Sequence, residues 1–311
     1  MVESERARCP AVRRADRFGD DVGVAGENGH DHPGHEHPGH DHSGQVATFV
    51  GVTLAVSAVF WVLGGIREAT ILLPGLPLSA LMFVAPAVGA WVALGPATAF
   101  RRLRAGVAAG WRRPRRIGWV LAWAPLMPAA ILVTYPLQAW LGRPLPAFTV
   151  DWAAVAILAL AFTVSAIVEE VGWTSVLTVR LLRRWRPAAV GLAVGTLWAL
   201  VHAIPYAQAG NPASWVVWQC LFSIAFRVAM VMAFDLTGGS LSVVVVLHAT
   251  YNVAWGVYPT QGSHYDPLLA TVTTALVAAG LAAVPALRAA STRRPTSIQP
   301  PARSGNSTRS S

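Results

Sequence analysis

The stretch AIVEEVGWTSVLTVRLL, residues 166–182, decides how this chain is read. Glu169 and Glu170 stand side by side in a run that is otherwise almost wholly apolar from Trp152 onward. A charge at the centre of a membrane helix costs about 2.5–3.5 kcal/mol on insertion scales, so such residues face a bundle interior or a wet cavity and are functional by default. Neighbouring residues on a helix project about 100° apart. The two carboxylates therefore cannot share one face; one can look into a cavity while the other pairs elsewhere.

The rest of the chain supports a membrane setting. Of 311 residues, 54% are hydrophobic and 13% charged, against roughly 25% charged in a soluble domain. Eight apolar runs, about 46–66, 74–96, 117–141, 152–179, 188–205, 214–234, 240–258 and 267–287, approach the ~20 residues that a span requires. The expected fold is all-α, a polytopic bundle of about eight transmembrane helices behind a disordered His-rich N-terminal tail. The apolar character of the fourth run extends to Leu182, longer than one straight crossing needs. A continuous helix and a break near Gly172 both fit it.

Arginine supplies the topology. All 24 basic residues are Arg, a mark of GC-rich coding that points to a bacterial inner membrane. Seven lie between Arg101 and Arg116, four between Arg180 and Arg186, and five follow the last run, whereas the alternate loops hold only Arg67 and Arg143. The positive-inside rule places both termini and the Arg-rich segments in the cytoplasm. The net charge of +9 thus sits beside apolar segments and predicts no nucleic-acid partner. Cys9 and Cys220 make neither a disulfide framework nor a thiolate metal site.

Three regions follow: a polar tail over 1–45, a membrane domain over 46–287 and a basic tail over 288–311. The first tail repeats HDHPG, HEHPG and HDHSG from His30 to Gly44. His30, His32, His35, His37, His40 and His42, interleaved with carboxylates, can bind zinc, nickel or copper loosely. A solvated low-complexity tail reads equally from the same residues.

The polar residues inside apolar runs are Glu169, Glu170, His202, Arg227, Asp235, His248 and Asn252. Trp198 precedes His202 by one helical turn, and Asn252 follows His248 by one turn, so each pair shares a face. A carboxylate, two imidazoles and an amide on separate spans suit water activation. The carboxylate takes a proton, an imidazole holds a metal or an oxyanion, and the amide donates to the oxyanion. Trp198 either packs or lines the cavity. Arg227 reads as a counter-ion of Asp235 or Glu170, Asp235 as a solvated interface residue, and His264 as a surface residue.

This set resembles the CPBP family: type II CAAX prenyl endopeptidases, bacteriocin-processing enzymes and Abi proteins. The family's first motif is Glu-Glu, three residues, then Arg; Glu169 and Glu170 match the pair, and Gly172-Trp173 the common filling. Its second, Phe or Trp, three residues, His, is matched by Trp198 and His202. Its third, His, three residues, Asn or Asp, is matched by His248 and Asn252, with the lead-in Thr237–Leu241. The resemblance implies an intramembrane endopeptidase with a cytoplasm-facing cavity, acting on a membrane-associated peptide or protein. Glu169 would activate water, His202 would bind it, His248 and Asn252 would stabilise the oxyanion, and Glu170 would support them. Glu169, His202 and His248 could also hold zinc or another divalent metal. Thr174 stands where the motif has Arg, and Arg180 or Arg227 could supply the missing charge. Two other functions use the same residues: a metal- or proton-coupled transporter, and a non-catalytic scaffold or immunity protein of the same fold. The pattern carries no signal of oligomeric state.

Overall fold

The computed structural model describes residues 42–66, 77–111, 114–143, 145–259 and 262–292. His30 to His40, and the end of the chain beyond 292, lie outside the described residues. Among the described residues the regular structure is helical throughout: α1 (His42–Gly64), a 3-10 segment (Leu78–Val84), α2 (Ala85–Leu94), α3 (Pro96–Trp111), α4 (Pro114–Trp123), α5 (Leu126–Leu132), α6 (Thr134–Trp140), α7 (Trp152–Gly172), a π-helical turn (Trp173–Thr178), α8 (Val179–Leu182), α9 (Pro187–Gln208), α10 (Ala213–Leu236), α11 (Leu241–Gly256) and α12 (Pro267–Thr292). Six continuous stretches are long and apolar enough to cross a membrane. The chain is a multi-pass membrane protein.

The structure departs from the sequence reading in four places. The first helix begins at His42, so residues 42–45 belong to α1 and not to the tail. The second apolar run is not a straight span: the chain bends by 118° between Leu94 and Pro96. Gly95 makes that corner with a φ of 79°, where a residue with a side chain would be strained. The Arg-rich segment after it is helix α3 rather than an open linker. The seventh run forms α11, a 16-residue helix shorter than a full crossing.

The fourth run explains its own length. Trp152 to Leu182 forms one 31-residue rod. Asp151 starts it by accepting backbone N–H bonds from Ala153 and Ala154, an ordinary N-cap. The outer half of α7 turns Ile157, Leu160 and Val164 outward, 69%, 71% and 51% exposed. Each such side chain left in water would forfeit about 1.5–3 kcal/mol, which lipid contact supplies. Trp140 and Trp152 flank the preceding loop and are highly exposed, as belt residues at a membrane interface are. From Ala166 onward the rod enters the bundle, and Glu169 to Thr174 are all buried.

There the helix widens. Of the two readings near Gly172 the continuous helix holds, although the winding changes to π at Trp173. Thr178 Oγ1 donates to the Trp173 carbonyl at 2.8 Å, and Ser175 Oγ to the Glu170 carbonyl at 3.5 Å. Both bonds span five residues, so hydroxyls occupy carbonyls in the loosened turn. Such turns recur at functional sites.

The helix that organises the core is α10. Over half of its apolar window is buried, against 11% for the rod. It packs along α9 and α12, while α11 packs on α7. The α10–α11 connection is four residues, Thr237 to Ser240, with Gly238 and Gly239 at φ of 71° and 90°. Close approach of α9 to α10 rests on Gly191 and Gly195. A Cβ at Gly191 would lie 2.6 Å from the Val228 Cα, and one at Gly195 3.0 Å from the Arg227 Cβ.

Gly172 meets the backbone of α2 in the same way: a Cβ would fall 2.4 Å from the Pro86 carbonyl oxygen. Gly172→Ala is therefore expected to destabilise the fold by about 1–3 kcal/mol, the usual cost of overpacking. Gly118→Ala, where a Cβ meets nothing within 4 Å, should be neutral or slightly stabilising. Thermal unfolding of both variants in detergent checks the contrast.

Candidate active site

Four helices converge on one polar cluster: α7 brings Glu169 and Glu170, α9 Trp198 and His202, α10 Arg227, and α11 His248. The two adjacent carboxylates diverge and take opposite edges of one imidazole. His248 Nδ1 donates to Glu170 Oε1 at 2.9 Å, while its Nε2 faces Glu169 Oε1 at 3.9 Å. The second separation is beyond hydrogen-bond length, which leaves Nε2 open to a third group.

Glu170 is the anchored member. It is wholly buried and accepts from Arg227 Nη1 on both oxygens, at 3.0 and 2.8 Å. Thr174 Oγ1 donates to Oε2 at 2.5 Å from one turn further along. Its ionised oxygens thus meet a cation, a hydroxyl and an imidazole N–H, which is what a charge withdrawn from water requires.

Glu169 is held more lightly. Trp198 Nε1 donates to its Oε2 at 3.1 Å. The same indole joins the rest of the cluster: the Arg227 guanidinium carbon sits 4.5 Å above its ring, and its centroid lies 4.9 Å from that of His202 and 5.5 Å from that of His248. Trp198 therefore does more than fill space. It binds one carboxylate, stacks on the cation of the other and separates the two imidazoles.

His202 is half-buried, and its Nδ1 lies 2.8 Å from the Trp198 carbonyl. A carbonyl can only accept, so Nδ1 carries the proton and neutral His202 presents the Nε2 lone pair. Asn252 is half-buried one turn beyond His248. The predicted residues Glu169, Glu170, His202, His248 and Asn252 thus lie on the converging helices, and so does Arg227, which the sequence reads as a counter-ion. His264 sits in a surface loop beside Ser263, its carbonyl accepting from Gln138. Arg180 donates to the Val176 carbonyl and the Gln45 side chain. Arg227, and not Arg180, meets the carboxylate.

Sequence reasoning gave no part to Thr174 as a donor or to Gly191 and Gly195. The glycines carried a readable signal, the G-x-x-x-G spacing that lets membrane helices approach closely. Thr174 carried one as well, a hydroxyl one turn after a buried carboxylate.

Residues 151–254 match the family model described as type II CAAX prenyl endopeptidase Rce1-like. That segment is similar to the Rce1-like family. It begins at the N-cap of α7 and ends two residues past Asn252, so it encloses every member of the cluster. No curated protein matches the chain significantly. The matched segment is less than half of the chain, and over that segment the chain is similar to the type II CAAX prenyl endopeptidases.

The cluster's unequal anchoring gives a test of the Rce1-like segment's stability. Glu170→Ala would strand the fully buried Arg227, and breaking a buried pair from one side costs about 3–5 kcal/mol. Glu169→Ala removes one hydrogen bond to an indole, about 1–3 kcal/mol with a charged acceptor. Unfolding curves in detergent should place Glu170→Ala well below Glu169→Ala.

Proposed function

We propose that the protein is an intramembrane endopeptidase that hydrolyses a peptide bond of a membrane-associated peptide or protein, with Glu169 as the general base. The observation that carries this reading is the pair of facing atoms, Glu169 Oε1 and His248 Nε2, 3.9 Å apart in a buried cluster. A water shared there would give a proton to Glu169 while its oxygen attacks the scissile carbonyl carbon. The His202 Nε2 lone pair orients that water. Asn252, and His248 in its protonated form, donate to the tetrahedral oxyanion. Glu169 then passes its proton to the departing amine as the C–N bond breaks, leaving an acid and an amine. Donors positioned for an oxyanion away from bulk water are among the larger contributions to such catalysis.

Zinc or another divalent ion would take Glu169, His202 and His248. Both imidazoles have Nδ1 committed and Nε2 outward, the outer-shell arrangement that metal-binding histidines show. Among the described residues, however, no group of three or more His, Cys, Asp or Glu side chains is placed to hold an ion. The donor set does not fit a metal as arranged. Metal analysis of a chain with His30, His32, His35, His37, His40 and His42 changed to Ala removes the tail's contribution. Stoichiometric zinc that disappears with His202→Ala would replace the water-only scheme.

The non-catalytic reading drew its strength from Thr174, and the buried Arg227–Glu170 pair weakens it, because the site retains a cation. Comparing new protein N-termini in membranes from cells producing wild type or Glu169→Gln tests the proposal without a chosen substrate. Cleavage products present only with wild type are expected. If Glu169→Gln is inserted and folded and the N-termini do not differ, the protease reading is overturned.

A further inference from the structure

We infer that Arg227 is a positioning residue for the site, reaching in from α10 to fix Glu170 and, through it, the ring of His248. The inference rests on the reading of Glu169 and His248 as the acting groups. A carboxylate with no exposure needs a cation close by. The position one turn after Glu170 on its own helix carries Thr174, which is neutral and gives one hydrogen bond. The charge comes instead from Arg227, 57 residues away in sequence.

Three features show that this guanidinium is held for its charge and place. It is fully buried, and a single nitrogen, Nη1, makes both bonds to Glu170. Its Nε and Nη2 have no hydrogen-bond partner among the described residues. Leaving donors idle in a buried site costs free energy, so hydrogen-bond satisfaction does not explain an arginine here. Lastly, α9 has no side chain at Gly195, where a Cβ would lie 3.0 Å from the Arg227 Cβ, and Trp198, one turn on, roofs the cation.

The geometric consequence passes through Glu170. Arg227 and Thr174 fix where its oxygens lie, Oε1 receives His248 Nδ1 at 2.9 Å, and that bond sets the direction of Nε2 toward Glu169. Without the cation, Glu170 and then the imidazole lose their registration. Because position 174 lies one turn from Glu170, an arginine there could approach the same carboxylate from its own helix.

The experiment uses the full chain in detergent, as wild type, Arg227→Gln, Arg227→Lys and the double variant Arg227→Gln/Thr174→Arg. Two signals are read: His248 modification by diethyl pyrocarbonate, mapped by mass spectrometry, and Glu169-dependent cleavage of a peptide identified from the N-terminal comparison. Arg227→Gln should speed His248 modification and lower kcat about 10- to 100-fold with KM unchanged, as loss of an outer-shell partner does. Arg227→Lys should keep most of the wild-type behaviour, since one nitrogen makes both bonds. The double variant should recover slow modification and part of kcat. A folded Arg227→Gln with wild-type His248 reactivity overturns the inference, and so does a double variant that folds without recovering it. If no form cleaves any peptide, the protease reading fails on its own, while the His248 modification pattern still decides the role of Arg227.

Discussion

The buried ion pair between Glu170 and Arg227 is the constraint on which the rest of the site depends. Neither residue has any exposed surface, so neither can exchange its partner for water. Each helix of the cluster must therefore sit where the pair allows. The rod must enter the bundle with Glu170 inward, α10 must run through the centre with Arg227 turned toward it, and α9 must come close enough to cover the cation with Trp198. Apolar packing in lipid could be satisfied by several registers of these helices. The ion pair and its bonds to Thr174 and His248 select one. A buried pair of this kind is weak evidence for stability, and its value here is in fixing register around a site.

Adjacency in sequence becomes division of labour in space. Residues 169 and 170 share a backbone position to within 1.5 Å of helical rise, yet one is bound from several sides while the other keeps an oxygen facing Nε2 of His248. A single helix can place two carboxylates this close only by sending them in different directions. The widened turn that begins at Trp173 follows directly behind them. It buries the Trp173 indole edge-on against Phe49 of α1, ring centroids 5.6 Å apart. The first half of the chain, which lies outside the Rce1-like segment, is thereby tied to the helix that carries the carboxylates.

Much of this was legible in the sequence. Intramembrane charge is expensive enough that Glu169, Glu170, His202, Arg227 and His248 of the cluster stand out in the apolar runs, and one-turn spacing pairs Trp198 with His202 and His248 with Asn252. Pairings across helices were not legible, because spacing along a chain says nothing of which faces meet. The sequence leaves Arg227 to Glu170 or Asp235, and only the packing of α10 against α9, with the ion pair across to α7, separates them. Span counting failed where composition was right and geometry was not. The run 74–96 is apolar throughout, but Gly95 turns it through a corner, and α11 is apolar but too short to cross alone. The π turn left only hydroxyls as its trace, Ser175 and Thr178, each bonded to a carbonyl five residues back.

The role proposed for Glu169 accounts for the placement of the carboxylates in an apolar run. A hydrolytic base needs water held near it and bulk water kept from competing for its hydrogen bonds. Glu169 meets both needs only because a neighbour takes the cost of burial. Had Glu169 been paired with Arg227 directly, its oxygens would be occupied and its proton affinity would serve the ion pair. With Glu170 occupying the cation, Glu169 is left with a single indole donor and an open oxygen. The second glutamate thus keeps the first available, and this is why the chain carries two.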